Sequence, residues 1–165
     1  MKALGGMLIV LLLAACQKSE VVSVYTGNQA TYGLVQASNY AVSGTVTFKE
    51  RKDGTTSIAV QLKGTSGTTQ LPVHLHLGDV SANGAGVAAI LNPVSAATGV
   101  SETILTQLAD ETKVTYKDLI NLSAYLNVHA ALAGPQSSVI LAAGNIGANG
   151  TKMMARQQIG NCLTP

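Results

Sequence analysis

Cysteine is scarce: the 165-residue chain has two, Cys16 and Cys162. Cys16 lies in an N-terminal segment that reserves it for another chemistry, so Cys162 has no partner and no internal disulfide can staple the fold. Stability must come from packing, which a chain of this length can supply in one domain. One-sided charge is missing too, with 10 Lys and Arg against 8 Asp and Glu, and Lys2 belongs to the leader. That balance argues against nucleic acid or an acidic surface as partner. The apolar stretch Leu8–Leu13 stops short before Gln17, Lys18, Ser19 and Glu20, whereas a permanent transmembrane helix needs about 20 apolar residues. No Gly-x-Ser-x-Gly elbow precedes a helix, which argues against serine hydrolysis. The glycines between Gly144 and Gly150 follow the last expected strand with no strand–helix unit after them, so they do not read as a phosphate or dinucleotide loop.

What the N-terminus does contain is a leader. Met1 and Lys2 form a short positive n-region, Leu8–Leu13 the apolar h-region, and Ala14-Ala15 the small residues of a cleavage site. Leu13-Ala14-Ala15-Cys16 matches the lipobox of bacterial lipoproteins, in which the cysteine thiol takes a diacylglyceryl group. Residues 1–15 are thus expected to be a signal peptide, and Cys16 to be lipidated and to anchor the protein on a membrane, since several acyl chains hold where one does not. Gln17, in place of an aspartate, favours the outer membrane of the cell envelope. The polar composition from Gln17 to about Gly33 suits a flexible tether. The expected division is 1–15 signal, 16–33 lipidated cysteine and tether, 34–147 domain, and 148–165 a tail that carries Cys162.

The domain reads as strands. Tyr40, Val42, Gly44, Val46 and Phe48 alternate with polar neighbours, the period of two of a half-buried strand. Asp53-Gly54 offers the positive φ of a hairpin turn, and Ile58, Val60 and Leu62 face inward on the return. Leu71, Val73, Leu75 and Leu77 form the next inward stripe, placing Pro72, His74 and His76 on the opposite face. Further strands are expected at 87–91, 101–108, 124–129 and 138–143, and a single helical turn at 116–122. Seven to eight short strands with turn signals about every ten residues predict an all-β fold, an antiparallel Greek-key-like sandwich or barrel.

All three histidines, His74, His76 and His129, fall in these strands. Positions two apart on a strand lie about 6.6–6.8 Å apart along it with side chains on one side. With His129 from a neighbouring strand, the pair would make a three-imidazole set with an open position, suited to zinc or copper. Asp79 is close enough in sequence to be a fourth or outer ligand. The same residues also suit a purely structural clasp, with ring nitrogens bonding strand ends and loops.

Val73-His74-Leu75-His76-Leu77-Gly78, then Asn83-Gly84 and an apolar strand, then Tyr125-Leu126-Asn127-Val128-His129 together resemble the CHRD domain, the repeat first described in chordin, over about Tyr40 to Ile146. The resemblance implies an immunoglobulin-type or related β-sandwich and names no reaction. Where the family usually has Gly-Glu-Ile-Arg-Gly after the second block, this chain has Ser138-Val139-Ile140-Leu141-Ala142-Ala143-Gly144. Val73–Asp79 is also similar to the copper-ligand strand of copper,zinc superoxide dismutases, though no bridging histidine, zinc-ligand cluster or intramolecular disulfide accompanies it. The expected function is a membrane-anchored envelope lipoprotein with a CHRD-like binding or structural domain for an envelope ligand or protein. The alternative is a metal-dependent oxidoreductase, superoxide dismutase-like, or a hydrolase using the same histidines.

Overall fold

A computed structural model of the protein describes residues 22–82 and 85–151. Eight strands appear: β1 Tyr25–Gln36, β2 Ser43–Arg51, β3 Thr56–Lys63, β4 Gln70–Leu77, β5 Val87–Ser95, β6 Val100–Leu105, β7 Ser123–His129 and β8 Ile140–Gly147, with one helix, α1 Tyr116–Asn121, before β7. They close into an antiparallel barrel in the order β1-β2-β3-β6-β5-β4-β7-β8. The all-β reading holds, and the barrel half of it is the correct one. Closure comes from β1, which pairs with β2 along most of its length and with β8 at Val35↔Ala143 and Gln36↔Ala142, leaving no free edge for a sandwich. The links β3–β4 and β6–β7 each pass over two strands, the Greek-key feature.

The β2–β3 hairpin shows why these residues make strands. Val46 lies opposite Val60 and Phe48 opposite Ile58, and all four side chains are buried in the barrel. Across the lumen they meet Val73 and Leu75 of β4 and Leu126 and Val128 of β7 in one core. Each such side chain contributes about 1.5–3 kcal/mol by leaving water. Gly54 takes the turn with φ +84, a conformation that suits residues without a Cβ. Thr115 caps α1, its hydroxyl accepting from the Asp118 N–H while the Asp118 carboxylate accepts from the Thr115 N–H.

Several boundaries move. Residues 25–33, expected in the tether, belong to β1: from Ala30 onward, Ala30, Tyr32 and Leu34 turn inward while Thr31, Gly33 and Val35 face out. A strand with so polar an outer face has a linker's composition. At the other end the last strand runs to Gly147, so the first glycines of the 144–150 stretch lie inside it. Asn149, expected in the tail, is buried, with its amide donating to the Gly78 carbonyl and the Ser123 hydroxyl. Tyr40 lies outside β2 and is exposed. Leu77, expected inward, pairs with the core residue Ala124 but is the last residue of β4 and 47 % exposed. Residues 1–15, Cys16, Asn83-Gly84 and the tail from 152, with Cys162, lie outside the described residues. Among the described residues no helix is long and apolar enough to cross a membrane.

Candidate functional site

The site grows from the pairing of β4 with β7. In that register Val73 faces Val128, His74 faces Asn127 and His76 faces Tyr125. Val73, Leu75, Leu126 and Val128 fill the barrel, so alternation sends His74, His76, Tyr125, Asn127 and His129 to the outer side. The three histidines converge there, His74 and His76 as their spacing predicts and His129 as the resemblance to the CHRD domain implies. The rings of His74 and His129 have centroids 4.7 Å apart, and those of His74 and His76 6.1 Å apart.

An outer barrel face is normally wet, yet His76 is fully buried and His129 is only 3 % exposed. Two loops cover them. The 78–86 loop comes down over His76, whose Nδ1–H donates to the carbonyls of Ala85 and Gly86, each at 3.1 Å. The 130–139 loop comes down over His129, whose Nδ1–H donates to the Ser137 carbonyl at 2.8 Å. A small second core of Val80, Tyr125, Ile140 and Ala143 lies beneath the first loop. That loop is anchored by buried Asn145, whose side-chain oxygen accepts from the Val80 N–H at 2.9 Å and whose amide donates to Asp79. The structural-clasp reading thus describes what the Nδ1 atoms do.

The Nε2 atoms raise a different question. A carbonyl oxygen can only accept, so each of these contacts puts the proton on Nδ1 and leaves a lone pair on Nε2. The Nε2 of His129 is buried and has no hydrogen-bond partner among the described residues. Burial holds all three rings neutral by pushing their pKa values down. For His74 burial, reinforced by His129 and His76, brings the value to about 4. For His76 and His129 burial outweighs the opposing effect of the carbonyls. His74 is half-buried, makes no hydrogen bond among the described residues, and is the ring that solvent reaches.

Asp79, expected as a fourth or outer ligand, has a carboxylate that accepts from the Ser81 N–H and hydroxyl and from the Asn145 amide. Among the described residues, as they stand, no group of three or more His, Cys, Asp or Glu is placed to hold a metal ion together. Two contributors went without a role in the sequence reading: Tyr125, stacked on His76 at 4.9 Å and 11°, and Asn145 beneath the loop. Tyr125 and Asn127 stand four and two residues before His129, so the period of two already placed them on the histidine face. Asn145 acts through a contact 65 residues away in sequence, which no local pattern signals.

Neither the curated proteins nor the solved structures contain a match to this chain. The family model of the CHRD domain matches residues 21–136, a span that takes in β1 to β7 and all three histidines, and on that match the chain belongs to the CHRD domain family.

Proposed function

We propose that the protein is a lipid-anchored lipoprotein of the cell envelope, held at the outer membrane by acylated Cys16. Its CHRD barrel is a binding domain that takes a transition-metal ion, zinc or copper, on His74, His76 and His129. One observation carries the ligand: the buried Nε2 of His129, a lone pair with no donor to meet it among the described residues. Leaving such a group unsatisfied costs about 1–3 kcal/mol, so a native structure that keeps one calls for a water or ion there. The rest fits. Metal-bound histidines are neutral and give their other N–H to a carbonyl or carboxylate, which fixes tautomer and ring orientation, and His76 and His129 do this through Ala85, Gly86 and Ser137. His74, without a hydrogen bond among the described residues, is the ring free to turn toward an ion.

A bound ion would supply positive charge and an open coordination position. His76 and His129 lie under loops rather than in an open cleft, which favours binding over the oxidoreductase or hydrolase reading. The detergent-purified full chain, incubated with zinc or copper and passed through a desalting column, should retain about one ion per chain. His129→Ala should lose it. A wild-type chain that retains no ion, or a variant that retains as much as wild type, overturns the metal site. The anchor is tested separately: Cys16→Ser should leave the membrane fraction or accumulate as precursor, and a processed variant that stays on the membrane refutes it.

A further inference from the structure

We infer that the barrel binds an uncharged saccharide at the end opposite the start of β1, in a cleft that none of the histidines lines. Every neighbouring pair of strands is antiparallel, so the links that follow β1, β3, β5 and β7 gather at one end. Among them lies a cleft of about 370 Å³, a volume in the range of small-ligand sites. Val42, Leu71, Ala96 and Leu141, all buried, give it an apolar wall. Tyr40, Thr65, Ser66, Thr69 and Gln136 supply the rest of the chemistry. They come from three different links, 37–42, 64–69 and 130–139.

The lining selects the ligand. No side chain in it is charged, so an ion entering the cleft would lose hydration without gaining a counter-charge. Among the described residues, the hydroxyls of Thr65, Ser66 and Thr69 and the side-chain amide of Gln136 make no hydrogen bond within the protein. Each of these groups can both donate and accept, which is what a set of neutral hydroxyls on a ligand requires. Tyr40 is 50 % exposed and adds a ring with an apolar body and a polar tip. A pyranose carries the two matching surfaces: a C–H face for the ring and the apolar wall, and hydroxyls for the four polar side chains. A purely apolar ligand would desolvate those side chains without giving them partners. An extended peptide binds best by adding to a free sheet edge, and the closed strand order leaves none.

The position of the cleft fits the same ligand. On the anchor reading above, acylated Cys16 holds the end where β1 begins at Tyr25, so the cleft faces away from the membrane, toward glycan and not lipid. Binding in the cleft does not depend on the anchor.

The test uses the full chain, purified in a phosphocholine detergent whose headgroup carries no sugar. Maltose and N,N′-diacetylchitobiose serve as neutral disaccharides, chitobiose as the charged, deacetylated form, and N-acetyl-trialanine amide as an uncharged peptide. Each is titrated by calorimetry into wild type, Tyr40→Ala and Gln136→Ala. Wild type should bind at least one neutral disaccharide with a Kd of about 1 mM or tighter, and chitobiose at least about tenfold more weakly. Tyr40→Ala should weaken the disaccharide about tenfold or more, and Gln136→Ala about threefold or more. Both residues are exposed, and an unchanged urea midpoint shows that the variants fold. No binding of either disaccharide up to about 10 mM, or binding that Tyr40→Ala leaves untouched, would overturn the site. Chitobiose bound as tightly as the neutral sugars would overturn the choice of an uncharged ligand. The peptide bound more tightly than either disaccharide, and weakened by Tyr40→Ala, would overturn the saccharide while leaving the cleft as a binding site.

Discussion

Acidification should destabilise the barrel well before its carboxylates protonate. In the native state the three imidazoles are neutral, and His74 takes a proton only near pH 4, against 6.5 for an unperturbed histidine. Between those values the unfolded chain binds more protons than the native one, so unfolding gains free energy as pH falls. The stability held in this difference is fully present above about pH 6.5 and is lost on the way down to about 4. For His74 the displacement of about 2.5 units corresponds to about 3 kcal/mol. The ring is half-exposed, and solvent screening reduces this to about 1–2 kcal/mol. His76 and His129 shift the same way and add to the slope. The carboxylates act elsewhere on the scale: Asp53 is held down to about 2 by Thr55 and Arg51, and Glu50, Glu102, Asp110 and Asp118 are also lowered, so their contribution disappears only in stronger acid. Urea unfolding followed by far-ultraviolet circular dichroism suits a chain with no tryptophan. Run at about pH 7.5, 6 and 5, it should show a falling midpoint at constant slope. His74→Ala should flatten part of that fall. A midpoint that does not move across this range, or one that falls equally in the variant, would refute the account of the cluster as buried and neutral.

Three further outcomes follow from single contacts. Asn145→Ala removes both the acceptor for the Val80 N–H and the donor to Asp79; it should cost about 1–3 kcal/mol and speed amide exchange in the 78–86 loop above that in the strands. Gly144→Ala would set a Cβ against the Gly33 carbonyl oxygen and the Leu34 side chain, where β8 meets β1; a loss of at least about 2 kcal/mol in urea is expected, and wild-type stability would show that the barrel does not close at that seam. Thr115→Ala deletes the side-chain half of the α1 capping box and should lower stability by about 1 kcal/mol, with the histidine pH dependence unchanged.

Most of the strand set was legible because alternation is a local property. Val46, Phe48, Ile58, Val60, Val73 and Leu75 each announce an inward face by their spacing, and Asp53-Gly54 announces its turn. The same rule put His74 and His76 together on the outer face, and the paired CHRD-like blocks brought His129 beside them. Where alternation was diluted, the reading failed. In β1 the polar outer face made a strand look like a tether, and Leu77, though opposite the inward Ala124, ends β4 and is left exposed. How far a strand end is covered depends on its neighbours and has no signature in the strand alone.

Sequence alone determined the lipobox expectation at Cys16, the β class and the composition of the histidine set, because each depends on residue identity and short-range spacing. Tertiary structure decided that the sheet closes into a barrel, since closure rests on β1 meeting β8 more than 100 residues later in the chain. It decided, too, that an outer face is dry. Two loops descend on His76 and His129 through backbone carbonyls, and Asn145 pins one of them from the far end of the chain through Val80 and Asp79. Burial and tautomer both arise from these long-range contacts. They turn three histidines from a pattern into a neutral, desolvated cluster with a lone pair left over.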